Sequence, residues 1–342
     1  MDTDERLLAL TLRGMAYACR IVPARRPCGT EPLVLIGGAL QDMYSWPRLE
    51  RRLTEHTTLM LMDLPGTGSA GDLASTAGFD VLADAALHAI DQLAAPRVSL
   101  LGASYGAPIA YRLAQAHPDR VARLILAGAT PRVGPRLTAV VRQGLELIGT
   151  DAGTGTGAPA DDSARQDYAR KVVDMLVNSA TRHEVAQGPA VARMLERQLM
   201  RTSYSAALRH AACHERLLDV DLYPPGGIDT VRTLVFTGEH DCTSSPEENR
   251  AVAATIADAT FLLIRDADHM AHLERDAEYA DLVTRFLRDL PLWDLPYCQY
   301  PDTPGRPDPQ GAISGAPQHP THPHPHAHPQ APGPKGPQVP CG

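Results

Sequence analysis

Val98-Ser-Leu-Leu-Gly102-Ala-Ser104-Tyr105-Gly106 is an apolar run that ends in Gly-x-Ser-x-Gly. That pattern holds a serine on a strained strand-to-helix turn, with its hydroxyl exposed at the start of the helix. Gly102 and Gly106 flank the serine for two reasons. The turn needs unusual backbone angles, and a β-carbon at either position would strike the neighbouring strand or helix. Ser104 is therefore the candidate nucleophile.

A nucleophilic serine needs a base to take its proton and a carboxylate to orient that base and stabilise its charged form. Val231 to Gly238 reads as a buried strand running into Glu239-His240-Asp241, which leaves Asp241 just past the strand's C-terminal end. Thr260 to Ile264 is a further strand, followed by Arg265-Asp-Ala-Asp268-His269-Met-Ala-His272-Leu-Glu274 at the mouth of a helix. His269 opens the helix-entry loop and is the candidate base. His272 continues the helical pattern and is expected to be a satisfied structural histidine. The chain order Ser104, Asp241, His269 is the one that places all three groups on one edge of a parallel sheet.

With these stretches, Leu35-Ile-Gly37-Gly38-Ala39 and Asp63-Leu-Pro65-Gly66-Thr-Gly68, the chain resembles the α/β-hydrolase superfamily, in particular its esterase and lipase-like branch with a helical cap. The resemblance runs over about residues 6 to 290. It implies an α/β fold with a mostly parallel eight-stranded sheet, helices on both faces and an inserted helical cap. It also implies that the backbone N–H groups of Ala39 and Tyr105 form the oxyanion hole, supported by Gly37, Gly38, Gly102 and Gly106. Two departures stand out. Relatives commonly have a His-Gly pair where Gly37-Gly38 stand, so this loop lacks that histidine's hydrogen bonds and is expected to be looser. Asp268 stands where relatives commonly have glycine, and its charge is expected to raise the imidazole pKa of His269.

Strands alternate with helical patterns up to Thr130, then nearly one hundred residues pass before the next strand. So long a gap must carry structure of its own. Helical periodicity appears at about 135 to 148, 166 to 179, 187 to 201 and 203 to 216, with a flexible stretch from Gly149 to Asp162. The expected organisation is a core of residues 1–130 and 231–296, a cap of residues 131–230, and a tail of residues 297–342. The tail holds 13 of the chain's 30 prolines and five histidines with few large apolar side chains, so it cannot build a core and is expected to be disordered. Apolar cap residues such as Val140, Val172, Leu176, Met194 and Leu195 are expected to pack on the core or line an acyl pocket.

Composition sets further bounds. A chain of 342 residues, 44% of them hydrophobic, can bury a full core and an insertion. A net charge of −8 disfavours a nucleic-acid partner, and arginines between Arg193 and Arg209 read as solvated helix faces. No run approaches the ~20 apolar residues that span a bilayer, and the acidic N-terminus is unlike a signal peptide. Six scattered cysteines suit reduced thiols in a cytoplasm. Cys242, beside Asp241, reads as a neutral loop thiol.

Two glycine patterns do not read as nucleotide-binding loops: Gly66-x-Gly68-x-x-Gly71, interrupted by Pro65, and the loop 149 to 157, which lacks a Gly-Lys-Ser/Thr ending. No cluster of His, Asp and Glu stands out beyond the three site residues, so neither metal nor cofactor is expected. The expected partner is a small, largely apolar acyl substrate, and the oligomeric state is left open. The same groups serve ester, thioester, lactone and C–C bond hydrolysis and cofactor-free perhydrolysis. A non-catalytic small-molecule receptor on this fold is the alternative from another class.

Overall fold

The computed structural model describes residues 5–153 and 162–301, without the side chains of 148–153 and 162. Arg13 and Gly14, with φ of 50° and 82°, turn the chain between strands β1 (Arg6–Leu12) and β2 (Met15–Val22). Two consecutive left-handed residues give the twist that a two-residue hairpin needs. Leu12 pairs with Met15 accordingly. Next come β3 (Leu33–Ile36), helix α1 (Pro47–Leu53), β4 (Leu59–Asp63), α2 (Phe79–Ile90), β5 (Val98–Ala103), α3 (Ala107–Ala116) and β6 (Val121–Ala127).

Four helices then separate β6 from the next strand: α4 (Pro135–Gly153), α5 (Asp162–Leu176), α6 (Gly188–Arg201) and α7 (Tyr204–Arg216). α4 runs further than the periodicity predicts, into the stretch expected to be flexible. The remainder of that stretch, 154–161, lies outside the described residues, as do residues 302–342 of the expected tail. The chain closes with β7 (Thr233–Gly238), α8 (Pro246–Ala253), β8 (Ala259–Ile264), α9 (Ala271–Glu274), α10 (Asp276–Leu287) and β9 (Cys298–Gln299).

The strands form one sheet in the order β1-β2-β4-β3-β5-β6-β7-β8-β9, parallel from β4 to β8 and antiparallel at both edges. The sheet thus has nine strands rather than eight. The extra one pairs Cys298 with Ile264 and Gln299 with Leu263, so the fold includes residues assigned to the tail by the expected boundary at 297. Cys298 is 2% exposed, yet a two-residue strand carries no periodic pattern that sequence could show.

β3 explains how the layers form. Val34 and Ile36 face the core packed by α2, α3 and α8, while Leu33 and Leu35 face the core packed by α1 and α10. A strand buried on both faces therefore reads as unbroken apolar sequence. A third, smaller cluster joins Val173, Val177, Val191 and Leu195 of the inserted segment to Met270, the neighbour of His269. β5, β6, β7 and β8 all end at the same edge of the sheet, where Ser104, Gly128, Asp241 and His269 follow.

Candidate active site

Ser104 sits at φ 51°, in the left-handed region that a non-glycine residue adopts at a cost of about 1 to 3 kcal/mol. The packing that holds it there also excludes side chains at the flanking glycines. A β-carbon at Gly102 would lie 2.5 Å from the carbonyl oxygen of Gly106, and one at Gly106 would lie 2.1 Å from that of Ile36. β3, β5 and α3 approach too closely for anything larger. Tyr105, which follows the serine, is 2% exposed, packs on Phe79 and is hydrogen-bonded by Arg216 through its hydroxyl.

Asp241 reaches the same edge from β7 and is 3% exposed. Its Oδ1 accepts the backbone N–H groups of Thr243 and Ser244, each at 2.8 Å, and its Oδ2 accepts the hydroxyl of Thr237. The loop is pinned beyond that point by a capping box, in which Ser245 and Glu248 satisfy each other's backbone N–H groups at the start of α8. Asp241 Oδ2 is 2.8 Å from Nδ1 of His269, and Nε2 of His269 is 3.0 Å from Oγ of Ser104. With the carboxylate accepting from Nδ1–H, Nε2 is left as the acceptor that faces the serine hydroxyl.

Burial works against a charged imidazole at His269, but the charge and hydrogen bond of Asp241, with further help from Asp268 and Glu274, outweigh it and raise the pKa. Asp268 therefore acts in the expected direction, though behind Asp241. It also makes a structural link that the sequence does not announce. Fully buried, it accepts the N–H of His269 at 2.8 Å with one oxygen and the N–H of Asn178 with the other. Asn178 also donates its side-chain amide to the carbonyl of His240 at 3.1 Å. The segment after α5 is thus tied to the loops that carry Asp241 and His269.

The loop after β3 is not loose, which corrects the expectation. Gln41 Oε1 accepts the N–H of Gly38 at 2.6 Å, and Gln41 Nε2 lies 2.8 Å from Nε2 of His272. Since the amide oxygen is used by Gly38, the NH₂ group donates and His272 accepts as a neutral imidazole. Burial pushes the His272 pKa down to about 3, in keeping with that role, and its ring lies 4.7 Å from that of Trp46. His272 is the structural histidine and His269 the one that meets Ser104. A β-carbon at Gly38 would lie 3.6 Å from Cβ of Ser104, so the loop passes directly over the serine.

Four residues with no role expected from the sequence pack around the site: Gln41, Asn178, Arg216 and Gly128. Gly128 follows β6 at φ 65°, and a β-carbon there would come within 3.0 Å of Cε1 of His269. Its signal is present in the sequence as a glycine directly after a buried strand. The other three act across distant segments and have no local signature.

Glu239, His240 and Asp266 correct the expectation that no further cluster exists, since their ligand atoms lie within 4.8 Å of one another. Glu239 is already engaged there by the N–H of Asp266 and the amide of Gln299. Of the glycines at 66, 68 and 71, Gly68 packs on a residue of the chain itself: a β-carbon there would lie 2.2 Å from Cγ of Asp63, whose carboxylate accepts the N–H groups of Met43 and Ser69. Burial pushes the Cys242 thiol up to about 11, which keeps it protonated.

Residues 31–276 match the model of a family described as alpha/beta hydrolase fold. The chain belongs to that family. Among curated relatives of the hydrolase fold, it is 32% identical over 100 residues to the pimeloyl-[acyl-carrier protein] methyl ester esterase of Klebsiella pneumoniae (strain 342). That match takes in 29% of this chain and 37% of the relative's length. Two solved structures extend the likeness of fold. An alpha/beta hydrolase enzyme from a Medee basin deep-sea metagenome library superposes with a TM-score of 0.66 at 14% identity, covering 84% of this chain and 100% of that one. The enol-lactonase of Burkholderia xenovorans LB400 superposes with a TM-score of 0.64 at 22% identity, covering 82% and 100%.

In this member of the family, Ser104 and His269 open onto a cavity of about 610 Å³ beneath the inserted helices. Ala39 and Tyr105 line it beside the serine, and Val140, Val172, Leu176 and Leu195 supply apolar wall. No helix among the described residues is long and apolar enough to cross a membrane.

Proposed function

We propose that this chain is a serine hydrolase that cleaves a carboxylic ester or related acyl compound through an acyl-enzyme. The observation that carries this reading is the relay of two contacts, 3.0 Å from Ser104 Oγ to His269 Nε2 and 2.8 Å from His269 Nδ1 to Asp241 Oδ2, on a serine held at a strained turn. Ser104 attacks the carbonyl carbon as His269 takes its proton, and the carboxylate of Asp241 stabilises the resulting imidazolium. The backbone N–H groups of Ala39 and Tyr105 meet the developing oxyanion, each such donor contributing about 3 kcal/mol. His269 returns the proton to the leaving group, and water, deprotonated by the same histidine, releases the acid.

The four inserted helices serve as a cap in this reading, with the core formed by residues 1–130 and 231 onward. A mostly apolar cavity walled by the inserted helices favours an apolar acyl group. The relatives named above act on a methyl ester and an enol-lactone, which supports hydrolysis of a carboxylic acid derivative. Thioester, lactone and C–C bond cleavage use the same groups.

A fluorophosphonate probe tests the assignment. It should label the wild-type protein and leave Ser104→Ala unlabelled. An unlabelled wild type that still binds apolar ligands would assign the fold to binding alone.

A further inference from the structure

Beside this cavity lies a second arm of about 620 Å³, between the loop Leu40 to Asp42 and the facing parts of α6 and α7. Leu40, Gln41, Met194, Arg197 and His210 line both spaces, so the arm adjoins the chamber that holds Ser104. The two ends differ in chemistry. The far end of the main chamber is walled by aliphatic residues of α4 and α5, whereas the arm presents Arg197, Arg201 and Arg209. Arg197 and Arg201 are exposed, as the solvated helix face expected from sequence requires, and that face also borders a concavity.

Their charge is poorly compensated. Arg197 spends its Nε on the carbonyl of Arg193 at 3.1 Å, and neither it nor Arg201 has a carboxylate partner among the described residues. Arg209 has only a 3.5 Å contact with Asp72, whose side chain is 87% exposed. Asp42 is the one acid lining the arm, and its Oδ1 already accepts the N–H of Tyr44 and the hydroxyl of Ser45. In a chain of net charge −8, a hollow carrying three guanidinium groups against Asp42 in its lining and Asp72 beside Arg209 is a local reversal of sign. A concave surface focuses such a field. Guanidinium forks match the oxygen geometry of carboxylates and phosphates. Arg197, Arg201 and Asp42 are exposed, so the arm opens to solvent, where a charged group stays hydrated while the acyl group is buried.

We propose that this arm binds an anionic group, a carboxylate or a phosphate, on the leaving-group half of the substrate, while the acyl half occupies the aliphatic end. The proposal rests on Ser104 being the nucleophile. It turns the expected apolar substrate into an amphipathic one. Arg197 and Arg201, one helical turn apart on α6, grip the anion from one side and Arg209 from the other. His210 lines the junction between the two ends; burial pushes its pKa down to about 4, so it offers a neutral hydrogen-bonding ring there rather than another charge.

Two matched substrate pairs test it. The first is the butyryl ester of 4-hydroxybenzoate against that of methyl 4-hydroxybenzoate, and the second is butyryl-coenzyme A against S-butyryl-N-acetylcysteamine. Within each pair the charged-to-neutral ratio of kcat/KM is read relative to the ratio for hydroxide hydrolysis. Wild type should favour the charged member by about tenfold, the effect of one charge-assisted contact. The preference should weaken with added salt, survive in part in Arg201→Lys and fall to near unity in Arg197→Ala/Arg201→Ala. Preference in the ester pair alone identifies a carboxylate, and in the thioester pair alone a phosphate. No preference in either pair, or one that the double variant leaves unchanged, overturns the proposal. The same four compounds are titrated calorimetrically into Ser104→Ala. Charged-ligand preference there without wild-type turnover would condemn the hydrolase reading and keep the anion arm, whereas equal affinities would remove the arm.

Discussion

Gln41 and His272, 231 residues apart in sequence, meet through a 2.8 Å contact between Nε2 atoms, and the same Gln41 side chain holds the N–H of Gly38 at 2.6 Å. The loop over the serine and the turn that carries His269 are therefore braced against each other. Gln41→Ala leaves the Gly38 N–H and the His272 ring without partners, an effect of about 1 to 3 kcal/mol. We expect kcat to fall by roughly tenfold or more with a smaller change in KM, measured on a chromogenic butyrate ester. An unchanged kcat would show that the brace has no bearing on the reaction.

Gly106 has no room for a side chain, because its β-carbon would lie 2.1 Å from the Ile36 carbonyl oxygen and 2.9 Å from that of Gly37. Both neighbours are backbone atoms and cannot rotate away. Gly106→Ala is expected to destabilise the fold by at least about 3 kcal/mol, read from the midpoint of urea unfolding. A shift under about 1 kcal/mol would mean that β3 and α3 can separate at little cost.

The pH dependence of turnover follows from His269. Its pKa is raised, so the neutral form required of a base is lost at higher pH than for an ordinary histidine, and the acid limb of kcat/KM lies above about 6.5. Asp241, Asp268 and Glu274 are the carboxyl groups that raise it, and His272 nearby stays neutral. Asp268→Asn removes one of those charges. The acid limb should move to lower pH while kcat drops, since the bonds to Asn178 and His269 are also weakened. A limb that stays in place would assign Asp268 a purely structural part.

Glu274 links stability to pH. It is 4% exposed, burial pushes its pKa up to about 7, and its Oε1 is buried without a hydrogen-bond partner. A carboxyl whose folded pKa is raised favours folding when protonated. Its contribution is complete below the unfolded value near 4.5 and is lost as pH rises through about 7. Glu274→Gln, which cannot ionise and still offers an oxygen to the N–H of Asp268, should gain up to about 3 kcal/mol relative to wild type between pH 5 and pH 8. Parallel stability curves for the two proteins across that range would refute the assignment.

β9 gives a test of where the fold ends. A chain cut after Leu295 loses the pairing of Cys298 with Ile264 and the bond from the N–H of Leu295 to the hydroxyl of Tyr300. It should melt several degrees below a chain cut after Pro301. Equal melting temperatures would restore the boundary at 297.

The strands that position the site were legible because each is a short apolar run bounded by turn residues, and burial on both faces leaves no polar alternation to confuse the pattern. Ser104, Asp241 and His269 could be named because each stands at or within five residues of the end of such a run. His272 was separated from His269 by helical phase, and the structure gives the buried, neutral environment that this phase implies. The Gly37-Gly38 loop went the other way. The missing histidine suggested slack, but Gln41, three residues on, supplies the acceptor that Gly38 needs.

The sequence by itself determined the layered α/β architecture, the inserted helical segment and which side chains stand at the ends of the strands, since these follow from periodicity and from residues that turns require. Only the tertiary structure decided how tightly the loop over Ser104 is held, that Asn178 fastens the inserted segment to the His269 turn, that Cys298 and Gln299 extend the sheet, and that the arginines of α6 and α7 face a hollow. Each depends on a few contacts or on surfaces that lie mostly between segments far apart in the chain. Such a contact satisfies a donor or fills a space without imposing any repeat on the residues around it, so it becomes visible only when the backbone has brought both partners together.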